Sequence, residues 1–231
     1  MLFRNSKRKK PIKLEIKIDG VAVDKVNETK FLGIIIDEQL KWKPHISHVC
    51  SKVSKGIGII WRIRYLLPKS VVKTLYYTLL YHYLHYAITI WGCNYNSNLQ
   101  RLGILQKRAI RIISNSSYNA HTNPLFKANS ILKLQDITTL NIASIMYLYS
   151  TCQLPKTFQH LFKLNSEVHE HNTRQSQNFH TLSKKSKLSQ FSISYMGPLV
   201  WNKFKKILNN CKTIYKFKKI MKEELISKYT D

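Results

Sequence analysis

The sequence is short of acids: 12 Asp and Glu stand against 38 Lys and Arg in 231 residues, a formal charge of +26. Seven Gly and six Pro are too few for collagen-like or low-complexity chains. Four Cys, at 50, 93, 152 and 211, form no Cys-x-x-Cys pair, which disfavours a disulfide framework and a zinc site. Buried reduced thiols are the expectation. No long apolar run is present either. The most apolar stretch, Val71 to Trp91, is interrupted by Lys73, two His and five Tyr, so it reads as a core helix and not a bilayer span. No membrane partner is expected. The opening Met1-Leu-Phe-Arg-Asn-Ser-Lys7 is too quickly charged for a signal peptide, so an intracellular location, cytoplasmic or nuclear, is expected instead of secretion.

What is present is a hydrophobic fraction of 44%, enough for one large domain or two small ones with a true core. The positive excess points to a polyanion, nucleic acid or an anionic membrane surface, ahead of a small acidic substrate. The charge is also unevenly placed. Between Glu38 and Asp136 there are fourteen Lys and Arg and no acid.

Periodicity predicts an α+β chain that is mainly α. Alternation in Lys13 to Ile18, the Asp19-Gly20 turn, Val21 to Val23 and the run Phe31 to Ile36 predict one small antiparallel sheet over residues 12–36. From Pro44 the apolar positions Ile46, Val49, Val53, Ile57 and Ile60 share one helical face, with Lys52, Lys55, Arg62 and Arg64 mostly off it. Leu67-Pro68 ends that helix, and Ser70 can cap a second one with a wide apolar face running to Trp91. A third helix places Leu99, Leu102, Leu105, Ala109 and Ile112 inward and stops at Ser114 to Ser117. A fourth, Asp136 to Ser150, uses Ile137, Leu140, Ile145 and Leu148. Residues 163–194 are rich in Ser, Asn, His, Lys and Gln and read as a mobile loop or linker with a plausible domain boundary. Two basic helical segments, about 198–209 and 213–228, close the chain.

Catalytic patterns are scarce. Two-metal phosphoryl or nucleotidyl transfer needs converging carboxylates. Asp37-Glu38 and Glu223-Glu224 are adjacent pairs better suited to solvating helix ends. His45, His48 and Cys50 do not share one helical face and lack a fourth ligand, so no metal is expected. A Ser-His-Asp or Cys-His set is not visible from spacing, and the acid-free interval removes most orienting carboxylates. Lys55-Gly-Ile-Gly58 lies in a helical pattern and is no phosphate loop. What remains is basic residues among aromatics: Trp42, Trp61, Tyr65, the tyrosines from 76 to 86, and Trp91. Such rings either fill the core or stack bases, and Tyr76, Tyr83 and Trp91 follow the apolar period. Arg101, Arg108 and Arg111 lie on a solvated face or on phosphate, and no Glu compensates them at helical spacing.

An ordered set of motifs resembles the reverse transcriptases of non-LTR retrotransposons, the LINE-like elements of jockey type. It includes Lys30-Phe-Leu-Gly33, Asp37, Trp42, Pro44-His-Ile46, Leu66-Leu-Pro68, Trp91-Gly92, Leu105-Gln-Lys-Arg-Ala-Ile-Arg-Ile112 and His121-Thr-Asn-Pro-Leu-Phe126. Thr173-Arg174, Gly197-Pro198, Trp201-Asn202 and Phe217-Lys218 continue it. The resemblance implies residues 1–40 as a palm edge, with Phe31, Leu32 and Gly33 in the turn that grips the primer end. It implies 41–153 as a thumb-like helical bundle, 154–194 as a loop or linker, and 195–231 as a C-terminal helical segment. Met1-Leu-Phe3 matches a stretch just beyond the family's catalytic motif. The Tyr/Phe-Ala-Asp-Asp signature and the fingers are not present, and no two Asp are adjacent. The implied partners are an RNA template, a DNA primer and the palm and fingers portion. The implied contacts to nucleic acid fall on Phe31, Leu32, Gly33, Trp42, Lys52, Lys55, Arg101, Lys107, Arg108 and Arg111, with no catalytic or metal-binding residue. Magnesium is implied only for the full-length polymerase, and polymerisation is not expected of this chain alone. The alternatives are a non-functional relic of such an element, or a helical interaction module whose partner is missing.

Overall fold

Asp19-Gly20 and Leu32-Gly33 each close a two-residue hairpin, and all four residues have positive φ (51, 80, 47 and 81°), as a type I′ turn requires. In the computed structural model, which describes residues 1–3, 15–168, 171, 173–208 and 211–229, β1 (Lys17–Ile18) pairs antiparallel with β2 (Val21–Ala22). Likewise β3 (Glu28–Phe31) pairs with β4 (Ile34–Asp37), Phe31 opposite Ile34. The expected single sheet is therefore two separate hairpins, and the expected first strand residues Lys13-Leu14 lie outside the described ones. The cause is burial: β1 and β2 are exposed throughout, so nothing clamps them onto β3. Only β4 reaches the core, through Ile34.

The link from β4 into α1 (Lys43–Ile63) is held by Asp37, whose carboxylate accepts the Lys41 and Trp42 N–H groups at 3.0 and 2.7 Å. The periodic positions Ile46, Val49, Val53, Ile57 and Ile60 are all buried. Gly56 sits where an added Cβ would lie 2.8 Å from Leu80 Cδ1 and 3.1 Å from the Leu79 carbonyl, so α1 approaches its neighbour at backbone distance.

That neighbour departs from expectation. Instead of one helix to Trp91, the chain forms α2 (Lys69–Tyr76), a π-helical turn (Tyr77–Tyr81), α3 (His82–His85) and, after a break, α4 (Ile88–Trp91). Its first turn begins after Pro68 with no side-chain cap; Ser70 instead accepts the Thr74 hydroxyl through its carbonyl. At the break Tyr86 is extended and Ala87 is left-handed at φ 49°. The wide apolar face is real: Tyr76, Leu80, Leu84, Ile88 and Trp91 are all buried.

α5 (Asn96–Ile113) packs along α1, and the short α6 (Thr122–Ala128) packs on α5. The buried set is Leu99, Leu102, Gln106, Ala109, Ile110 and Ile113; Leu105 and Ile112, expected inward, are half-buried, so the helix is rotated from the expected register. α7 (Leu134–Ser150) lies against α4 and buries Ile137, Thr138, Ile142, Ala143, Met146 and Tyr147, while Leu140, Ile145 and Leu148 are half-buried. Apolar neighbours on several sides leave α7 without a single wet face, which is why one stripe describes it poorly.

The segment expected to be a free linker contributes to the core. After a 3₁₀ turn (Lys156–Phe158), α8 (Asn165–Val168) and α9 (Lys187–Gln190) are short, but Phe162 and Phe179 are buried against Tyr149 and Trp201. Asn202 fixes Phe179 at both backbone groups: its amide oxygen accepts the N–H and its amide nitrogen donates to the carbonyl. α10 (Ile193–Leu208) and α11 (Ile214–Ser227) then cover α7. Tyr229 closes the chain on α7 by donating to Asp136 Oδ2 at 2.5 Å and accepting the Lys133 N–H at 2.9 Å. Of the thiols, Cys50 and Cys93 are buried, and burial pushes Cys93 up to about 11; Cys152, exposed, and Cys211, half-buried, depart from the expectation of buried thiols.

Candidate nucleic-acid interface

The long helices α1 and α5 run in the same direction. The Arg101 charge is felt at Cys50, early in both helices, while Trp61 and Arg64 share a cleft with Arg108, Arg111 and Ile112 at their far ends. Along α5 the positions Arg101, Ile104, Arg108 and Arg111 recur at helical spacing and form one solvent-facing stripe, with Lys107 beside it. Cys50, Ser54, Gly58 and Trp61 share the flank of α1 next to that stripe, and Ser54 and Gly58 are exposed, with no heavy atom within 4 Å of a Cβ added at Gly58. The result is a basic ridge beside a low, small-residue track.

At the far end the two helices open into a cleft of about 240 Å³ lined by Trp61, Arg64, Arg108, Arg111, Ile112, Asn115, Ser116 and Tyr118. The Arg64 guanidinium lies 4.3 Å from the Tyr65 ring centroid and 5.3 Å from that of Trp61, and donates to the Tyr65 hydroxyl. Arg64 Nε is buried and has no hydrogen-bond partner among the described residues. Arg111 spends its Nε on the Ala120 carbonyl at 2.9 Å. No carboxylate lines the cleft.

The ten residues singled out from sequence do not form one surface. Arg101, Lys107, Arg108 and Arg111 gather on α5. Lys55 points outward from a different side of α1, and Lys52, half-buried, flanks its core face there. Phe31, Leu32 and Gly33 form the exposed tip of the β3–β4 hairpin, where Leu32 is 73% exposed in a left-handed conformation. Its carbonyl accepts the Tyr86 hydroxyl at 2.6 Å, and the Tyr86 ring lies 3.6 Å from where a Gly33 Cβ would be. Trp42, also left-handed at φ 62°, is half-buried at the start of α1 and lines a second hollow with Phe3, Tyr95 and Phe191. Arg64 reads from sequence only as a charge off the buried face of α1, and Tyr118 is not marked at all, because both lie beyond the ends of the periodic segments. The alternation Trp61-Arg-Ile-Arg-Tyr65 was the available signal.

Among the described residues the carboxylates do not gather into a site that would fit a catalytic magnesium. Asp37 is occupied by backbone N–H groups and Glu224 by Lys228 at 3.0 Å, and among the described residues no three His, Cys, Asp or Glu converge. His45, buried at the start of α1, accepts the Ile35 N–H at Nδ1 (3.3 Å), and burial lowers its pKa, with His48 adding to the effect. Its neighbour is the edge of Trp91 at 5.4 Å, a packing environment for a neutral imidazole. No helix among the described residues is long and apolar enough to cross a membrane.

Sequence comparison finds that about half of the chain is similar to RNA-directed DNA polymerases of transposons, a reverse-transcriptase-like segment. The chain is 30% identical over 115 residues to the probable RNA-directed DNA polymerase from transposon BS of Drosophila melanogaster, covering 47% of this chain and 12% of that protein. It is 25% identical over 115 residues to the probable RNA-directed DNA polymerase from transposon X-element of the same organism, covering 48% of this chain and 13% of that protein. The chain thus spans about an eighth of the length of these curated relatives. No family profile and no solved structure matches it.

Proposed function

We propose that this chain is the duplex-holding, thumb-like part of an RNA-directed DNA polymerase, which binds template-primer through its sugar-phosphate backbone and does not polymerise by itself. The observation that carries this reading is the α5 stripe of Arg101, Arg108 and Arg111, in an interval without any acid to neutralise it. A polymerase must accept every sequence while moving along it, so its holding surface needs cations aimed at phosphates and no base-reading code. An RNA–DNA hybrid also offers 2′-hydroxyls to the Asn, Gln and Ser side chains that are plentiful here.

The hairpin tip supports the same reading. The type I′ turn puts an exposed leucine where asparagine or glycine is the usual residue, and a local cost of that kind concentrates at working sites. Exposed apolar side chains on the hairpins, Ile16, Ile18, Val21 and Val23, fit a surface that the palm and fingers portion would cover.

The test is fluorescence anisotropy with an RNA–DNA hybrid over a salt series. Affinity should fall steeply with salt, by about one unit of log–log slope per phosphate contacted. Arg101→Glu combined with Arg108→Glu and Arg111→Glu should weaken binding on hybrids of unrelated sequence alike. Binding that is absent, or indifferent to salt, in a folded sample would sink the proposal.

A further inference from the structure

We infer that the cleft between the ends of α1 and α5 holds one unpaired nucleotide, its phosphate on Arg64, Arg108 and Arg111 and its base stacked on the exposed ring of Trp61 or Tyr118. This deepens the duplex-holding reading by giving the basic ridge a terminus where the strands are no longer paired.

The cation set comes first. Three guanidinium groups line a cleft of about 240 Å³ that contains no carboxylate. Helix C-termini attract Arg on their own, and Arg111, in the last turn of α5, has that role while its Nε also ties down the following loop through the Ala120 carbonyl. It does not account for the other two. Arg108 lies a turn inside α5 and makes no hydrogen bond or ion pair among the described residues. Arg64 follows the end of α1 and keeps a buried Nε without a partner. Three like charges repel one another unless an anion joins them, and three full charges outweigh the partial negative charge of two helix ends. Arginine's fork suits a phosphate, and Ser116 and Asn115 supply further polar groups at the rim.

The rings decide what kind of phosphate. Trp61 is 52% exposed and Tyr118 is 82% exposed, and both border the same cleft. Neither is a core residue, whereas Tyr76 and Trp91 in the same bundle are fully buried. Within a duplex each base has both faces covered by its neighbours, so a ring beside a phosphate site serves a base that has left the stack. The ridge of Arg101, Arg108 and Arg111 leads along α5 toward this cleft, so a strand following it reaches the rings at one end.

The experiment uses the full chain and three probes: a blunt RNA–DNA hybrid, the same hybrid with a single-stranded extension of about five nucleotides, and a single-stranded oligothymidine, within the site sizes of known single-strand grooves. The extension should tighten binding by about tenfold, the effect of stacking one base. Trp61→Ala with Tyr118→Ala should abolish that gain, bringing the extended hybrid down to the affinity of the blunt hybrid measured on the same variant; Trp61→Phe should retain most of it, and the share of tryptophan quenching that Trp61→Phe removes should arise only with the extended and single-stranded probes. Tyr118→Ala alone, at a site this exposed, gives a variant whose fold is not at issue, and circular dichroism checks the others. Equal affinity for blunt and extended hybrids would overturn the inference while leaving the duplex-holding reading intact. So would a double variant that weakens both probes alike. Binding of oligothymidine but not of the blunt hybrid, with the same dependence on Trp61, would uphold the cleft and overturn the duplex reading.

Discussion

Gln106 sits 2% exposed in the middle of the bundle with its amide fully engaged. Nε2 donates to the Tyr76 hydroxyl and to the Leu132 carbonyl at 3.1 and 2.9 Å, and Oε1 accepts the Leu134 N–H at 2.8 Å. One side chain thereby ties α2, the loop before α7 and the first turn of α7 to α5. Burial raises the Tyr76 pKa, so the phenol stays uncharged in the core while its oxygen accepts from Gln106. Replacing the amide by a shape-matched apolar group leaves three buried polar groups unmatched, each costing about 1–3 kcal/mol less whatever the added methyl groups return. Gln106→Leu should therefore lower stability by about 3 kcal/mol, read as a shift in the urea midpoint at constant slope. A neutral variant would mean that water replaces the amide. Its residue type hides it: position 106 steps in register with the inward Leu99, Leu102 and Ala109, but a Gln between Leu105 and Lys107 reads as a surface residue.

Among the elements, the β3–β4 hairpin carries its own stored cost. Leucine in the left-handed region is unfavourable by about 1 kcal/mol, and asparagine is the preferred residue at the first position of this turn. Leu32→Asn should raise stability by about that amount and, by removing an exposed apolar side chain from the tip, should weaken hybrid binding by about fivefold. Thermal melting and anisotropy on the same sample check both signs; a variant that is more stable and binds unchanged would remove the tip from the interface. The elements also show where sequence reading reaches and where it stops. α1 and its buried stripe were legible because five apolar residues step by three or four without interruption. The Asp19-Gly20 turn was legible from its residue types. The break at Tyr86-Ala87 was not, since neither residue is a helix breaker and tertiary contacts to Leu32 and Trp91 hold the bend. Phe162 and Phe179 were obscured by the polar residues around them, because two isolated aromatics in a loop carry no period. Of the candidate interface, the arginines of α5 could be read as a stripe. Their meeting with Arg64 depends on the parallel course of two helices that are far apart in sequence.

On the scale of the whole molecule, a charge of +26 acts on folding and on binding in opposite directions. Self-repulsion among cations opposes the compact state, and salt screens it. The same salt competes with phosphate for the basic ridge. Raising potassium chloride from about 0.05 to about 0.5 M, over which the Debye length shrinks from about 14 to about 4 Å, should therefore raise the melting temperature while lowering hybrid affinity. A melting temperature that falls with salt would show that the cations are already balanced within the fold.

Tyr86 gives the surface turn a direct line to the centre of the bundle. Its hydroxyl holds the Leu32 carbonyl at the hairpin tip, and its own carbonyl accepts the Trp91 Nε1–H at 2.9 Å, with the indole fully buried. A change of turn length between β3 and β4 would thus not remain a loop polymorphism: it would pull on an indole at the heart of the protein. Insertions tolerated in most surface hairpins should be rare in this one.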